Sequence, residues 1–204
     1  MLYRAEATVL TLILLLPGLA PAADAQKGIE AYNIGEYETA LAECQPAAEA
    51  GDALAQFCVG RMYANGFGVA MNDAQAHKWY GLAAAQGHAE AQFNLAVMNA
   101  NGWGVPMNDA EAARLYGLAA EQGFTQAQTS LASLYRSGRG VEQSGVEAYR
   151  WYAIAAKLGD MNAEFKLDEI AIDLSPDEIA AAEDRANAWL EAKNGEVIHA
   201  GRVE

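Results

Sequence analysis

Gly51, Gly87, Gly123 and Gly159 stand 36 residues apart, each behind an alanine-rich run, with no insertion disturbing the interval. Aligned on these glycines, other columns agree. Gly66, Gly102 and Gly138 share one. Gly68, Gly104 and Gly140 share another, followed directly by Val69, Val105 and Val141. Tyr80, Tyr116 and Tyr152 form a further column, and so do the pairs Ala83-Ala84, Ala119-Ala120 and Ala155-Ala156. A fixed period of this size implies a stacked solenoid, in which each unit buries its apolar face only against its neighbours. Such a stack tilts the functional expectation toward an extended binding surface and away from a catalytic pocket.

Within the unit from Ala53 to Gly87, Ala55, Val59, Gly60 and Tyr63 recur at steps of three and four, the stripe of one α-helix. Gly66 supplies a left-handed helix end, Gly68 a second bend, and Val69 an apolar tuck beneath the turn. A second helix then starts at a cap. Asn72 with Gln75, Asn108 with Glu111 and Ser144 with Glu147 have the capping-box spacing. Ala76, Trp79, Tyr80, Ala83 and Ala84 give its buried stripe. Gly60, Ala96 and Ala132 keep paired helices close, since a bulky side chain there would overpack. Trp79 and Trp151, with Leu115 between them, are expected in the core.

The expected organisation is a secretory signal peptide over 1–22, a degenerate half-repeat over 24–52, and full repeats over 53–87, 88–123 and 124–159. A divergent capping repeat follows over 160–193 and a tail over 194–204. Arg4, the apolar run Val9–Leu16, and the small residues Ala20-Pro21-Ala22 have the order of a cleaved signal, with cleavage after Ala22 or Ala25. The run is shorter than the roughly 20 residues needed to span a bilayer. Near the other end, Ser175-Pro176-Asp177-Glu178 has a cap, a first-turn proline and a glutamate at the third position. Ile179, Ala182, Ala186, Trp189 and Leu190 then form one apolar stripe, expected to close the stack.

The two cysteines, Cys44 and Cys58, lie equidistant from Gly51. In an antiparallel hairpin such residues face each other, so a Cys44–Cys58 disulfide is expected; two free buried thiols are the alternative. Export would permit the bond. The formal net charge of −14 argues against nucleic acid or anionic lipid as the main partner.

The run Ala91-Gln92-Phe93-Asn94-Leu95-Ala96, then Asn101-Gly102-Trp103-Gly104-Val105-Pro106, then Tyr116 and Ala119-Ala120-Glu121-Gln122-Gly123 resembles the Sel1-like repeat, a relative of the tetratricopeptide repeat. Asn99 departs from it, standing where Tyr63 and Tyr135 predict an aromatic. The resemblance implies an all-α fold, an α/α superhelical solenoid of helix-turn-helix repeats with capping helices at both ends and a concave surface. It also implies an adaptor that holds proteins together, in bacteria often exported, with no shared catalytic set. Some cysteine-rich relatives carry a disulfide between neighbouring helices.

Reaction chemistry is not visible in the residues. His77, His88 and His199 read as ordinary surface histidines, unpaired at metal-ligand spacing. No serine has a lysine three residues on, as a serine enzyme acting on β-lactams would need. The expectation is therefore no catalytic residue, no cofactor and no metal. The protein is read as a periplasmic or secreted scaffold for a protein or peptide partner, without stable membrane insertion after signal cleavage. A cell-wall or β-lactam enzyme and a secreted factor meeting a host or neighbouring cell are the alternatives. The candidate partner face comprises Phe57, Arg61, Phe93, Val97, Thr129, Ser133 and Phe165, residues off the core stripe of successive first helices. The competing reading is that the phenylalanines pack adjacent repeats.

Overall fold

The computed structural model describes residues 24–200, with side chains described to residue 193. The expected signal segment, 1–22, lies outside the described residues. Every regular element among those described is a helix: α1 (Ala25–Asn33), α2 (Tyr37–Glu49), α3 (Ala53–Asn65), α4 (Asp73–Ala85), α5 (Ala89–Asn101), α6 (Asp109–Glu121), α7 (Thr125–Ser137), α8 (Gly145–Lys157), α9 (Met161–Ala171) and α10 (Pro176–Ala200). Consecutive helices pack as pairs, α3 on α4, α5 on α6 and α7 on α8, and each pair packs on the next. α10 runs to Ala200, into the segment read from sequence as a tail.

Two glycines per repeat make the turns. Gly66, Gly102 and Gly138 end α3, α5 and α7 in the left-handed region, at φ of 70°, 72° and 70°. Asn72, Asn108 and Ser144 then donate their backbone N–H to the carbonyls of Tyr63, Asn99 and Tyr135, closing each loop. The second glycine of each loop does more than bend. A Cβ on Gly104, itself at φ +73°, would lie 2.5 Å from the carbonyl of Asp73 at the start of α4. Gly140 meets Asp109 in the same way, and Gly68 meets Tyr37. Each loop thus rests its backbone on the first turn of the preceding repeat's second helix.

The expected capping boxes form only by half. Asn72, Asn108 and Ser144 accept from the backbone N–H three residues on, at 3.0, 3.1 and 3.2 Å. The return bond is absent because the cap's own N–H already serves the loop. Glu111 and Glu147 are released to pair with Arg114 and Arg150. At Ser175 that N–H is free, and it donates to Glu178 at 2.9 Å, completing the box at the start of α10.

The core is rich in alanine and falls into two clusters, one around the N-terminal pair and the disulfide and one along the remaining repeats, with Tyr63 packed against both. Trp79, Leu115 and Trp151 are buried as expected. Its polar component is a glutamine ladder that spacing arguments passed over. Gln56, Gln92 and Gln128 are buried, and each donates to a carbonyl at the end of the preceding helix (Ala48, Ala84 and Ala120), each at 3.2 Å. Gln86 and Gln122 donate in turn to Gln56 and Gln92 at 2.8 and 2.7 Å. At the third junction Leu158 stands in their place, and the buried Oε1 of Gln128 has no hydrogen-bond partner.

Cys44 and Cys58 are joined by a disulfide, with Cα atoms 6.4 Å apart. It ties α2 to α3, so it staples the junction between the N-terminal pair and the first full repeat. Gly28 of α1 leaves room for it, because a Cβ there would collide with the Cys44 sulfur.

The C-terminal end departs from the expected closure. α9 stops at Ile172 with right-handed dihedrals and no left-handed glycine. Without that reversal α10 does not fold back on α9; it packs on α8. Ala182 and Ala186 are buried there, and the Trp189 indole N–H donates to Glu121 at 2.7 Å. One side of α9 is left open, with Met161, Phe165 and Ile172 exposed.

Gly104→Ala should destabilise the protein by about 3 kcal/mol, combining a left-handed alanine with a backbone collision. Gly87→Ala, at φ +89° with nothing within 4 Å of its would-be Cβ, should cost about 1 kcal/mol. Urea unfolding of both variants checks the difference. Leu158→Gln should raise stability by about 1 kcal/mol by supplying the missing donor to Gln128, and Gln122→Leu should lower it by removing the donor to Gln92. Thermal melts of the pair read the two signs.

Candidate functional site

The first helix of each pair leaves residues off its core stripe on one side of the stack. Three cavities follow one another along that side. The first, about 250 Å³, is lined by Ile29, Tyr32, Leu54, Phe57, Arg61 and His88, among others. The second, about 260 Å³, shares Arg61 and adds Asn65, Tyr80, Asn94, Val97 and Trp103. The third, about 430 Å³, includes Tyr116, Thr129, Ser133, Arg139, Tyr152 and Lys166.

Six of the seven residues of the expected partner face divide between two duties, and Phe165 has neither. Arg61, Val97, Thr129 and Ser133 line cavities. Phe57 also lines one, yet it is buried and stacks on His88 with centroids 4.5 Å apart. Phe93 packs against Phe124 at 5.1 Å and Tyr116 at 5.7 Å. His88 and Phe124 are the residues that lead into the next repeat's first helix, so these two phenylalanines do pack adjacent repeats. Phe165 has no following repeat to meet and stands 66% exposed on α9.

The tyrosine column forms the inner wall of the second and third cavities. Burial pushes the hydroxyls of Tyr80, Tyr116 and Tyr152 above their ordinary pKa, so they stay protonated and can donate. Tyr80 fits because Gly60 lies against its ring, where a Cβ would come within 2.6 Å. Cations are treated unequally along the row. In the third cavity Arg139 makes two hydrogen bonds to Asp109, at 2.7 and 3.2 Å, and Lys166 pairs with Glu169 at 3.0 Å. Arg61 instead lies with its guanidinium carbon 4.2 Å from the Tyr32 ring centroid and 5.6 Å from that of Phe57.

Two of the histidines are not the ordinary surface groups expected. His88 caps α5, its Nδ1 accepting from the Ala91 N–H at 3.3 Å, where Asp52 and Asp160 cap α3 and α9. His77 lies 3.4 Å from the amide of Asn99, the residue that replaces an expected aromatic. Asn99 is buried and also donates to the Leu95 carbonyl at 2.8 Å. The departure from the column is therefore matched by a histidine across the repeat. The third, His199, lies outside the described side chains. Among the described residues no group of three His, Cys, Asp or Glu is disposed to hold a metal ion, and no helix is long and apolar enough to cross a membrane.

The family model described as Sel1 repeat matches the chain at residues 53–88, 89–124 and 125–160. Among solved structures, a Sel1 repeat protein from Oxalobacter formigenes is 36% identical over 71% of this chain, with a TM-score of 0.68. A protective antigen present in uropathogenic Escherichia coli strains and displaying an SLR fold is 29% identical over 80% of this chain, with a TM-score of 0.69. The chain spans 59% of the first protein's length and 38% of the second's. No curated protein matches it.

Burial holds both His88 and His77 below the ordinary histidine value of 6.5, opposed by Glu90 and Glu111 respectively. The folded state prefers the neutral rings, so their contribution is complete above pH 6.5 and is lost as pH falls through the lower folded values. His88→Asn replaces the Nδ1 acceptor with a capping amide oxygen and removes the titrating ring. Its melting temperature should fall less than the wild type's between about pH 7.5 and about pH 5.5, with His77 sustaining the remaining slope.

Proposed function

This chain belongs to the Sel1 repeat family, and from that membership we propose that it is a non-enzymatic scaffold holding a protein or peptide partner along the side formed by its first helices. Sel1-repeat solenoids are commonly protein-interaction scaffolds. The observation that carries the reading is the succession of three cavities on the first-helix side of a regularly repeating frame. The tyrosine column repeats behind the cavities, whereas one lining column varies: Arg61, Val97 and Ser133 hold equivalent positions. Varied side chains at fixed spacing are what a specific extended ligand requires.

The same proposal places the work outside the cytoplasm. The Cys44–Cys58 disulfide supports an oxidising compartment, and the charged start, short apolar run and small residues of 1–22 support export by a cleaved signal. Cleavage after Ala22 accords better with the fold than cleavage after Ala25. Asp24 caps α1 by accepting from Gln26 and Lys27 at 3.0 and 3.3 Å, and the later cut would remove it. A second reading, a factor facing a host or neighbouring cell, draws support from the similarity to an antigen of uropathogenic strains.

A photo-reactive residue placed in intact cells at Val97 or Ser133 should give a discrete crosslinked partner. The same residue at Leu82, exposed on α4, should not. Equal adducts from both sides, or adducts from Leu82 alone, would overturn the assignment of the partner face.

A further inference from the structure

Six arginines lie among the described residues, and five are paired with carboxylates: Arg114 with Glu111, Arg136 with Glu169, Arg139 with Asp109, and Arg150 and Arg185 with Glu147. The chain has 27 acidic residues against 13 basic ones, so carboxylates are abundant. Among the described residues Arg61 nevertheless has no ion pair, and its guanidinium makes no hydrogen bond to any of them. It is half-buried and flanked by the rings of Tyr32 and Phe57. Ring faces attract the delocalised cation and hold its plane, but they leave its N–H donors unused. A guanidinium held this way is preorganised for a planar anion.

Its surroundings say what accompanies that anion. Arg61 belongs to the walls of two cavities, one on either side. Toward α1 the wall is apolar, with Ile29, Leu54 and Phe57. Toward α5 it offers Val97 and the half-exposed indole of Trp103, with the Asn65 and Asn94 amides beside them. Resting on the reading of this side as the partner surface, the geometry points to an extended peptide segment that puts one Asp or Glu side chain on Arg61 and an apolar residue into each flanking cavity. The carboxylate comes from a side chain and not from a chain terminus, because a terminus at Arg61 would leave one of the two cavities empty. Glu90 lines the first cavity and Asp73 the second. Like-charge repulsion from them restricts the segment to a single acid at this point, as does the net charge of −14.

The test uses the full chain and a library of end-blocked nonapeptides with Glu, Gln or Lys fixed at the centre and apolar, Gly or Ser residues at the flanks. Retained peptides should be enriched about tenfold for central Glu over Gln, a difference of about 1.4 kcal/mol, with apolar residues selected on both sides. Arg61→Gln should bring the Glu-to-Gln ratio to about one while the apolar preferences remain. Arg61→Lys keeps the charge but not the fork, and should retain only part of the enrichment. Thermal melts of both variants establish that they fold. Equal retention of Glu and Gln by the wild type, or a Glu preference that survives Arg61→Gln, overturns the carboxylate assignment. If Gln peptides are still retained and suppress the crosslink from Val97, the scaffold reading stands without it. If no peptide is retained on this side, both fall together.

Discussion

The contact between the second glycine of each loop and the preceding helix start sets the geometry on which the remaining features depend. Gly104 combines a left-handed backbone with an approach to the Asp73 carbonyl too close for any Cβ. Either demand alone favours glycine, and together they leave no substitute. Because the contact is backbone on backbone, it fixes the stagger of successive repeats without reference to side chains. The residue just before each glycine is thereby delivered to the start of the preceding second helix, and there the chemistry is free to differ. Phe67 stacks on Tyr37 with centroids 4.4 Å apart, Arg139 pairs with Asp109, and Trp103 shares a cavity with Asp73.

The buried glutamines work on that fixed stagger. A primary amide in an alanine core is costly unless its groups are satisfied. Here the donor side meets a helix-end carbonyl that also accepts the N–H of the turn glycine, and the acceptor side of Gln56 and Gln92 meets the glutamine at the end of the same repeat. The bonds at 2.8 and 2.7 Å tie the end of a repeat's second helix to the start of its own first helix, while the bonds to Ala48, Ala84 and Ala120 join each repeat to the one before it. Small residues let the helices approach, and the amides specify how they align. The ladder lacks its last donor at the junction with α9. That is also where the regular stacking gives way and the chain turns back onto α8.

Much of this was legible in the residues. Columns of glycine, tyrosine and paired alanine at a constant interval locate every helix of the three full repeats, and the placement of Cys44 and Cys58 about Gly51 located the disulfide. The glutamines were visible too, as the same residue at Gln56, Gln92 and Gln128 within apolar helices. An isolated polar residue on a helix reads as solvent-facing until its partners are known. The half-formed capping boxes were illegible for another reason: spacing shows that Glu111 could reach back to Asn108, but not that the Asn108 N–H already serves the Asn99 carbonyl. The seven residues expected to face a partner fared unevenly as a lining. The arginine, valine, threonine and serine line cavities, while two of the phenylalanines bind the repeats together. The path of α10 was hardest, since an amphipathic stripe says that a helix must be covered and not by which neighbour.

In a stack whose frame is set by repeated columns, information about a ligand can reside only in the columns that differ. The loops and the glutamine ladder leave little freedom, because a change there disturbs two repeats at once. Position 61 and its equivalents belong to neither, and they read arginine, valine, serine and glutamate in turn. The cations at the two ends of the row are correspondingly unequal. Arg139 and Lys166 sit beside carboxylates within the chain and already have their charge matched. Arg61 has two aromatic faces instead, which hold a guanidinium in place while leaving its charge to be answered from outside. A row of cavities whose third member has its cations matched, and whose first two share the unmatched Arg61, concentrates its unanswered charge at one place. A segment lying along it would find its electrostatic anchor at Arg61 alone, and that sets the register in which it lies.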